Sequence, residues 1–427
     1  MSASDTIAAI ATAPGRGGVA VVRVSGPDAW RIAARVAGCS LVPDDAGRFF
    51  YRDFRFPDGS VADSGLLLVF KAPASYTGED VVEFQGHGGS VAPRRVLEAC
   101  FAAGARLARR GEFTERAFLN GRLDLSAAEA VIDLVDARTG RAADDAQARL
   151  RGELSGRFEI LYRDAIEASS RMEHLLDVDD SEIPDGTVES HVADNERLKE
   201  RIRALLSTAH EGRILRDGAL VVLAGAPNAG KSSLMNALLG ENRAIVSDIA
   251  GTTRDTIEEG VDISGWPVRL VDTAGLRETD DAIEAEGVVR AEALMEKADM
   301  VVALDCDIPG AIRVHAKCDL DSSASADPNV IRVSAKTGEG LSELKKAIAG
   351  KLEELSSDSS EEVADVTARH TDLLCKALSA LEGTDPSDLV LAANALRLAA
   401  QSIGEIIGKT YSEDLLESLF SRFCVGK

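Results

Sequence analysis

The first 120 residues alternate short apolar runs with turn residues. Residues 18–24 and 66–70 are rich in valine and leucine and are bounded by glycine or polar residues, a pattern typical of strands. Residues 92–104 instead repeat apolar positions at helical spacing and end at a glycine, which predicts a helix. The pattern therefore predicts a mixed α/β segment at the N-terminus.

The composition changes between about residues 122 and 216, where Ala, Glu, Asp, Arg and Leu dominate and glycine and proline become rare. Residues 125–135 place apolar side chains with the period of an amphipathic helix. Long helices are predicted here, with a break near residues 183–186. A second stretch, from about residue 365 to 420, has the same helical character.

An apolar run at 219–224 predicts a buried parallel strand, and predicted strands and helices then alternate to about residue 352. Residues 355–364 have the polar, acidic composition of a linker. Since helical sequence flanks the α/β block on both sides, the block is predicted to be inserted into one helical bundle. The predicted fold class is a multidomain α/β protein with an N-terminal α+β domain, a helical bundle and an inserted Ras-like doubly wound P-loop domain. The predicted segments are 1–120, 121–216, 217–352 and 353–427.

Charge and cysteine content exclude some classes of function. The 427 residues carry 48 Lys+Arg against 71 Asp+Glu, a net charge of −23. This charge argues against a chain that binds nucleic acid by itself, because such binding needs a basic face. A partner or a local basic patch would have to supply that face. The six cysteines form no C-x-x-C pair, so neither a zinc site nor a disulfide framework is indicated, and a reducing cytoplasm is expected.

No targeting or membrane segment is predicted. The N-terminus lacks the basic and long apolar regions of a signal peptide. No apolar run reaches the roughly 18 residues of a membrane span. The longest candidate, residues 389–400, contains Asn394 and Arg397.

Residues Gly225–Ser232 match the phosphate-binding pattern G-x-x-x-x-G-K-[ST], between the predicted strand and an apolar helix at 234–239. The glycines let backbone N–H groups face phosphate oxygens, and the helix N-terminus adds positive partial charge. Lys231 is predicted to reach the β- and γ-phosphates, and Ser232 to ligate Mg²⁺. An ordinary glycine-rich turn is the alternative.

Two later motifs fit the same site. The motif Asp272–Gly275 (DTAG) follows the predicted strand 268–271, where an aspartate can hold Mg²⁺ through water and a glycine N–H can contact the γ-phosphate. Residues 250–255 lie where a γ-phosphate-sensing switch is expected. Thr253 is the predicted second hydroxyl on Mg²⁺, and a polar turn is the alternative for this stretch.

The base-recognition motif is incomplete. GTPases usually carry Asn-Lys-x-Asp at a later strand end, and the best match here is AKCD, in which Ala316 replaces the asparagine. Asp319 is predicted to bond the guanine N1/N2 edge, and Lys317 to pack over the base. The motif Ser334–Lys336 (SAK) matches the last guanine-binding loop, so guanine is favoured over adenine. His315 is adjacent but is not proposed as a substitute for the missing asparagine.

Motifs over essentially the whole length resemble the MnmE (TrmE) family of tRNA uridine-modifying GTPases. The P-loop alone is generic, whereas its combination with a C-terminal Cys-x-Gly-Lys is specific. The stretch 305–317 is shorter than the family pattern and surrounds the altered base motif. The motifs that carry the resemblance are TIAA at 6–9, PGRGGV at 14–19, TGED at 77–80, QGHGG at 85–89, GEFTERAF at 111–118 and FCVGK at 423–427.

The resemblance implies a potassium-stimulated GTPase that works as a homodimer whose two G domains meet. With an FAD-containing flavoprotein of the MnmG type it would form a heterotetramer. This complex would add an aminomethyl or carboxymethylaminomethyl group to carbon 5 of the wobble uridine (position 34) of certain tRNAs. The one-carbon unit would come from a tetrahydrofolate derivative, 5-formyl or 5,10-methylene, bound by the N-terminal domain, which would also dimerise.

The resemblance also implies how GTP is cleaved. Leu276 stands where Ras-like enzymes use a glutamine, and Glu284 is the implied catalytic carboxylate, with a solvated helix-face glutamate as the alternative. Arg254 and Arg277 are nearby, but K⁺ is the implied counter-charge in place of an arginine finger. Its implied ligands are Asn228, Ser247, Ile249 and Thr252, although Asn228 could also be an ordinary loop residue.

The complete implied GTP-contacting set joins the P-loop, the switch, the DTAG motif and the base loops. It consists of Asn228, Ala229, Gly230, Lys231, Ser232, Ser233, Ser247, Asp248, Ile249, Ala250, Gly251, Thr252, Thr253, Asp272, Thr273, Ala274, Gly275, Lys317, Asp319, Ser334, Ala335 and Lys336.

Arg23, Glu83, Arg122 and Lys427 match family positions that contact the folate. The family commonly has lysine where Arg122 stands, so the charge is kept and the geometry changes. Without the resemblance, Arg23 and Glu83 would be ordinary surface charges. Cys424 is implied as a catalytic or substrate-proximal residue, and a small buried hydrophobe is the alternative.

Three functions remain open at this point. The first is the GTPase component of a tRNA-modification enzyme. The second is a regulatory GTPase, of the ribosome-assembly kind, which would have no reason to carry Arg23, Glu83 and the FCVGK end. The third is a folate-binding aminomethyltransferase-like module whose G domain has no catalytic part.

Overall fold

The computed structural model describes residues 5–176, 186–240, 258–272, 293–320, 327–356, 365–385 and 388–427. The chain divides into two compact units, one formed by Met1–Ile132 with Ile407–Lys427 and the other by Asp133–Ile406. The last residues of the chain thus belong to the same unit as the first ones.

The strands of the described part form two sheets. The strands are β1 (Ile7–Ile10), β2 (Val19–Ser25), β3 (Phe49–Arg55), β4 (Val61–Phe70), β5 (Val81–His87), β6 (Arg106–Leu107), β7 (Ala219–Gly225), β8 (Glu258–Ile263), β9 (Trp266–Asp272), β10 (Met300–Leu304), β11 (Ile312–Ala316) and β12 (Ile331–Val333). The helices are α1 (Ala29–Ala37), α2 (Ala92–Ala102), α3 (Glu112–Leu119), α4 (Leu125–Asp136), α5 (Gly140–Leu150), α6 (Glu153–Leu176), α7 (Thr187–Ser207), α8 (Ala209–Asp217), α9 (Lys231–Leu239), α10 (Leu341–Ser356), α11 (Ala368–Glu382), α12 (Leu389–Ile407) and α13 (Glu413–Phe420).

The first unit is built on a six-stranded sheet of order β3-β4-β5-β2-β1-β6, in which only β1 and β6 run parallel. Its two faces bury different side chains, as alternation along a strand requires. Val22 and Val24 of β2 pack with α1 and α2 in the main core, whereas Ile7 and Ala9 of β1 pack with Phe113 of α3 on the opposite face.

The predicted strands at 18–24 and 66–70 are confirmed as β2 and β4, but β4 begins five residues earlier than predicted. The early residues Asp63 and Ser64 are polar, so their sequence does not suggest a strand. They are held by pairing with β3 and by the carboxylate of Asp63, which accepts a hydrogen bond from the backbone N–H of His87 at 2.7 Å. Pairing between distant segments therefore overrides the local pattern.

A buried ion network fastens α3 to the sheet. The guanidinium of Arg116, whose side chain is 5% exposed, donates to the carboxylates of Asp5, Glu79 and Glu112 at 2.8–3.1 Å. Burial raises the pKa of Glu112, but hydrogen bonds from Arg106 and the backbone of Arg109 outweigh it, and the pKa falls to about 2. The charges are therefore paired and hydrogen-bonded, as buried charges must be.

The second unit contains the doubly wound block predicted at 217–352. Its sheet has the order β12-β11-β10-β7-β9-β8, parallel except that β8 runs antiparallel to β9. Helices α9 and α10 pack on one face, where Leu238 and Ile348 join Leu223, Leu270 and Val302 in a buried core. This arrangement confirms the predicted α/β fold class of the block.

The connection from β10 to β11 is unusually short. Parallel neighbours are ordinarily joined by a crossover of a dozen or more residues, usually containing a helix. Here residues 305–311 alone make the connection. The tight path places Asp305 at a φ of 52° and is held by a hydrogen bond from the N–H of Asp305 to the carbonyl of Val314 at 2.9 Å.

Helices on both sides of the α/β block pack together, which confirms the predicted insertion into one helical bundle. Phe158 of α6 lies edge-on to His370 of α11, with ring centres 5.2 Å apart. Ser169 of α6 donates to the carbonyl of Ala393 in α12 at 3.5 Å, and Thr208 accepts from the N–H of Val366 at 3.4 Å.

Helix α12 is long and apolar enough to cross a membrane by length and composition alone. The sequence analysis predicted no such span, because Asn394 and Arg397 interrupt the run. In the structure, 56% of the most apolar window of this helix is buried inside the protein. Burial of this kind is typical of a core helix.

Candidate nucleotide-binding and catalytic site

The loop after β7 has the backbone geometry that a phosphate-binding loop needs. Gly225 has a φ of 155°, and a Cβ there would lie 2.6 Å from the carbonyl oxygen of Leu304, so only glycine fits. Gly230 has a φ of 101° and directly precedes α9, which begins at Lys231, three residues before the helix predicted from the apolar pattern. The loop thus opens onto a helix N-terminus, the usual setting for anion binding.

Lys231 is held inside this loop. Its side chain is buried, and its ammonium group donates to the carbonyls of Gly225 and Ala226, both at 2.9 Å. These contacts satisfy the charge within the turn that is predicted to surround the phosphates. The position therefore suits the predicted contact with the β- and γ-phosphates.

Ser232 and Asp272 meet beside the loop. The hydroxyl Oγ of Ser232 donates to Oδ2 of Asp272 at 2.5 Å, and Asp272 is 3% exposed at the end of β9. A hydroxyl and a carboxylate oxygen are the hard ligands that Mg²⁺ prefers, directly or through water. These two residues therefore fit a magnesium ion at this edge of the sheet.

The base-recognition loops lie against the P-loop. Lys317, at a φ of 58°, donates from Nζ to the backbone carbonyl of Asn228 at 2.7 Å. Asn228 itself has a φ of 62°. Oδ1 of Asp319 accepts from the hydroxyl of Ser334 at 2.7 Å, which joins the AKCD and SAK motifs. The structure thus brings together motifs that lie about 100 residues apart in sequence.

Asp305 is a residue of this region that the sequence analysis did not single out. Its Oδ1 lies 2.8 Å from Nδ1 of His315 and accepts from the N–H of Ala316 at 3.4 Å. Asp305 therefore ties the end of β10 to the strand that carries the AKCD motif, across the shortened connection. In the sequence, only the shortness of residues 305–317 pointed to this region, and it did not indicate that Asp305 has a role.

Part of the predicted site lies outside the described residues, and the predicted roles there remain predictions. These residues are the K⁺, switch and catalytic positions Ser247, Asp248, Ile249, Ala250, Gly251, Thr252, Thr253, Thr273, Ala274, Gly275 and Glu284, with Arg254, Leu276 and Arg277. Ala229, Ser233, Ala335 and Lys336 are described and flank the contacts above.

Arg23 and Glu83 are neighbours across β2 and β5, and they form an ion pair in which Nε lies 2.9 Å from Oε1. The guanidinium also lies over two aromatic rings, 5.1 Å from the centre of Tyr76 and 5.6 Å from that of Phe113. The sequence analysis predicted both charges as folate contacts, but it did not predict that they contact each other. Together they form a charged spot within an apolar patch on the α3 face of the sheet.

The C-terminal tail runs beside the same part of the unit. Val425 forms a β-bridge with Arg110, and the N–H of Gly111 donates to the carbonyl of Cys424 at 3.4 Å. Gly426 has a φ of 106°, and a Cβ there would lie 2.2 Å from the carbonyl oxygen of Ile10, at the end of β1. The tail therefore lies against the end of β1, the strand that pairs with the one carrying Arg23.

Cys424 is exposed, which contradicts the alternative of a small buried hydrophobe; its neighbour Phe423 fills the core instead. Lys427 lies at the end of the docked tail. Arg122 packs against the turn at Gly78, where a Cβ would lie 3.1 Å from its Cγ. The structure thus places Cys424 on the surface and the four predicted folate residues in one compact unit.

Comparisons with known proteins agree with this architecture. The family model for the N-terminus of the GTP-binding protein TrmE matches residues 6–122, and the model for the MnmE helical domain matches residues 125–424. The chain is 44% identical to the tRNA modification GTPase MnmE of Neisseria meningitidis serogroup B over 450 residues, which covers 99% of each chain.

The chain belongs to the MnmE family. It is therefore a GTPase that acts in tRNA modification, which decides against a regulatory GTPase without that role. The MnmE of Xanthomonas campestris pv. campestris, strain B100, is 44% identical over 455 residues and the full length of both chains. Both alignments exceed the 427 residues of this chain, so these relatives contain stretches that this member of the family lacks.

Two solved G domains are also similar to part of the chain. The G domain of the Thermotoga maritima iron transporter FeoB is 26% identical and covers 31% of this chain and 98% of its own, with a TM-score of 0.24. The FeoB G domain of Methanococcus jannaschii is also 26% identical and covers 32% and 98%, again with a TM-score of 0.24. Because these scores are low, the fold assignment rests on strand order and loop geometry.

Proposed function

We propose that this MnmE-family GTPase is stimulated by potassium and works as a homodimer with an FAD-containing, MnmG-type flavoprotein. The complex adds an aminomethyl or carboxymethylaminomethyl group to carbon 5 of uridine 34 in certain tRNAs. The carbon comes from a 5-formyl or 5,10-methylene derivative of tetrahydrofolate. All six cysteines are free thiols, which suits the cytoplasm.

The observation that best supports the folate part is the docked C-terminal tail. Cys424 is exposed on a segment that lies against the end of β1, and β1 pairs with the strand of Arg23. A carboxylate such as Glu83 suits the donor-rich edge of a pterin, and cationic side chains such as Arg122 and Lys427 suit its glutamate tail. Cys424 is then available to the substrate.

The G domain supplies the hydrolysis. Lys231 binds the phosphates, Ser232 with Thr253 holds Mg²⁺, and Asp272 supports that site from its 2.5 Å contact with Ser232. Lys317, Asp319 and the SAK loop select guanine. Glu284 orients water, and Asn228, Ser247, Ile249 and Thr252 would hold K⁺, which would supply positive charge at the transition state.

Arg23 offers a direct test of the folate site. Arg23→Gln is expected to weaken binding of 5-formyltetrahydrofolate by about tenfold or more, because a charged hydrogen-bonding group is lost. Equilibrium dialysis of the full-length protein measures this. Arg94→Gln, at an exposed position of α2 in the same unit, is the matched control. Equal folate affinity of Arg23→Gln and wild type would rule out this site.

The dependence of GTP hydrolysis on potassium tests the proposed role of K⁺. GTP hydrolysis in KCl is expected to be at least about tenfold faster than in NaCl at equal ionic strength, because K⁺ supplies charge that Na⁺ does not place correctly. Asn228→Gly should abolish the difference, since glycine accepts the φ of 62° without strain while removing the side-chain oxygen. Steady-state phosphate release measures both. Identical wild-type rates in the two salts would refute the role of potassium.

A further inference from the structure

A small concavity in the second unit, here named the arginine concavity, is lined by three arginine side chains. Arg138 follows α4, Arg216 lies in the last turn of α8, and Arg269 lies on β9. Three like charges on one concave surface repel one another. A negatively charged ligand would reduce this repulsion.

Two of these arginines have no ion-pair partner within the described ranges. Arg269 pairs with Glu258, whose Oε1 lies 2.5 Å from its Nε. Arg138 and Arg216 make no hydrogen bond or ion pair to any described residue, and Nη1 of Arg216 is buried without an acceptor. A buried donor without an acceptor destabilises the protein, and a hydrogen bond to a ligand oxygen would remove that cost.

Charges of both signs act on Arg216 at longer range. Burial, followed by the charge of Arg149, lowers the pKa of Arg216, and Asp133, Asp145 and Asp217 oppose this. Asp217 also lines the arginine concavity, so three cationic side chains face one carboxylate there. The wall remains net positive.

Two glycines keep the arginine concavity open. A Cβ at Gly260 would lie 3.0 Å from Nη1 of Arg138, and a Cβ at Gly218, whose φ is +85°, would lie 3.0 Å from Cγ of Arg269. Larger residues at either position would displace an arginine side chain. The absence of a side chain at these two positions therefore leaves room for both arginines in their present positions.

The arginine concavity lies at the opposite end of the sheet from the nucleotide. The parallel strands β7 and β9 begin beside it and end at Gly225 and Asp272 in the nucleotide site. At about 3.3 Å per residue these strands are about 20 Å long, and the backbone of Arg269, three residues before Asp272, lies about 10 Å from it. The three arginines are therefore not part of GTP binding.

We propose that Arg138, Arg216 and Arg269 bind a phosphate group, namely a backbone phosphodiester of the tRNA substrate. Guanidinium groups bind phosphate oxygens through paired N–H donors. The chain carries a net charge of −23, so any contact with RNA requires a local basic site of this kind. The inference rests on the family's role in tRNA modification, and not on potassium or folate.

Arg138 provides the cleanest test, because it is exposed and its replacement breaks no hydrogen bond or ion pair in the described part of the chain. Arg138→Ala should weaken binding of fluorescently labelled tRNA to the full-length protein about three- to tenfold. It should also reduce the slope of log affinity against log salt concentration by about one. Fluorescence anisotropy between 50 and 300 mM KCl would measure both quantities, over a salt range of the kind in which such contacts are lost.

The control is Arg151→Ala, at an exposed arginine that also lacks a partner among the described residues and caps the other end of α5. It should leave affinity and slope unchanged, and Arg138→Lys should restore part of both. A second outcome is that Arg138→Ala binds tRNA like wild type, while inorganic phosphate raises the melting temperature of wild type and not of Arg138→Ala. The site then binds free phosphate, and the proposed tRNA phosphodiester is wrong. If Arg138→Ala alters neither tRNA nor phosphate binding, the proposed site is overturned.

Discussion

Lys231→Ala is expected to reduce GTP hydrolysis at saturating nucleotide by about 100- to 1000-fold. The ammonium group is held inside the loop by the carbonyls of Gly225 and Ala226, where it can reach phosphate oxygens without reorganising the backbone. Loss of one preorganised charge at a transition state typically has an effect of this size. Steady-state phosphate release with Mg²⁺ and KCl measures it.

Lys346→Ala is the matched control, since Lys346 is an exposed lysine of α10 in the same α/β block. It should hydrolyse GTP at the wild-type rate. Lys231→Arg should remain strongly impaired, because a planar guanidinium does not replace a compact ammonium group. A folded Lys231→Ala protein within about threefold of the wild-type rate would contradict the assignment of this loop.

Arg116→Met is expected to lower the free energy of unfolding of the first unit by about 3–5 kcal/mol. The substitution leaves Asp5, Glu79 and Glu112 without their shared cation, and breaking a buried ion network by removing one partner has a cost of this order. Urea denaturation of the full-length chain, with hydrogen exchange of β2 amides to assign the transition to this unit, measures the change.

The pH dependence gives an independent check. The pKa of Glu112 is lowered from 4.5 to about 2. The ionised carboxylate therefore contributes fully to the free energy of unfolding above about pH 4.5, and this contribution is lost as the pH falls toward 2. Wild type should lose stability over that range, and Arg116→Met should lose slightly less, because Arg106 still lowers the pKa of Glu112 in the variant. Arg94→Met, at an exposed site in α2, should stay within about 0.5 kcal/mol of wild type at pH 7. If Arg116→Met and Arg94→Met lower the free energy of unfolding at pH 7 by similar amounts, the ion network does not stabilise the unit.

Some features could be predicted because their cause is local. The strand at 219–224, the loop Gly225–Ser232 and the helix after it follow from apolar runs and glycine spacing. Helix α4 was predicted from the period of residues 125–135 and runs from Leu125 to Asp136. In each case the side chains within a few residues decide the backbone conformation.

Other features could not be predicted because their partners are distant in sequence. Asp63 makes β4 longer by accepting a hydrogen bond from His87, and Arg23 meets Glu83 only because β2 pairs with β5. Asp305 acts through a turn with a positive φ that no local pattern predicts. The arginine concavity joins residues 138, 216 and 269, none of which belongs to a recognisable motif.

The amino-acid sequence by itself determined the family, the order of strands and helices around the P-loop, and the kinds of residue available for GTP chemistry, because these depend on short-range spacing. Only the tertiary structure decided that Lys317 reaches Asn228, that the C-terminal tail lies against the end of β1, and that three arginines share one surface. The physical reason is that these contacts form between segments about 50 to 400 residues apart. Their geometry is set by sheet register and helix packing, which local sequence does not encode.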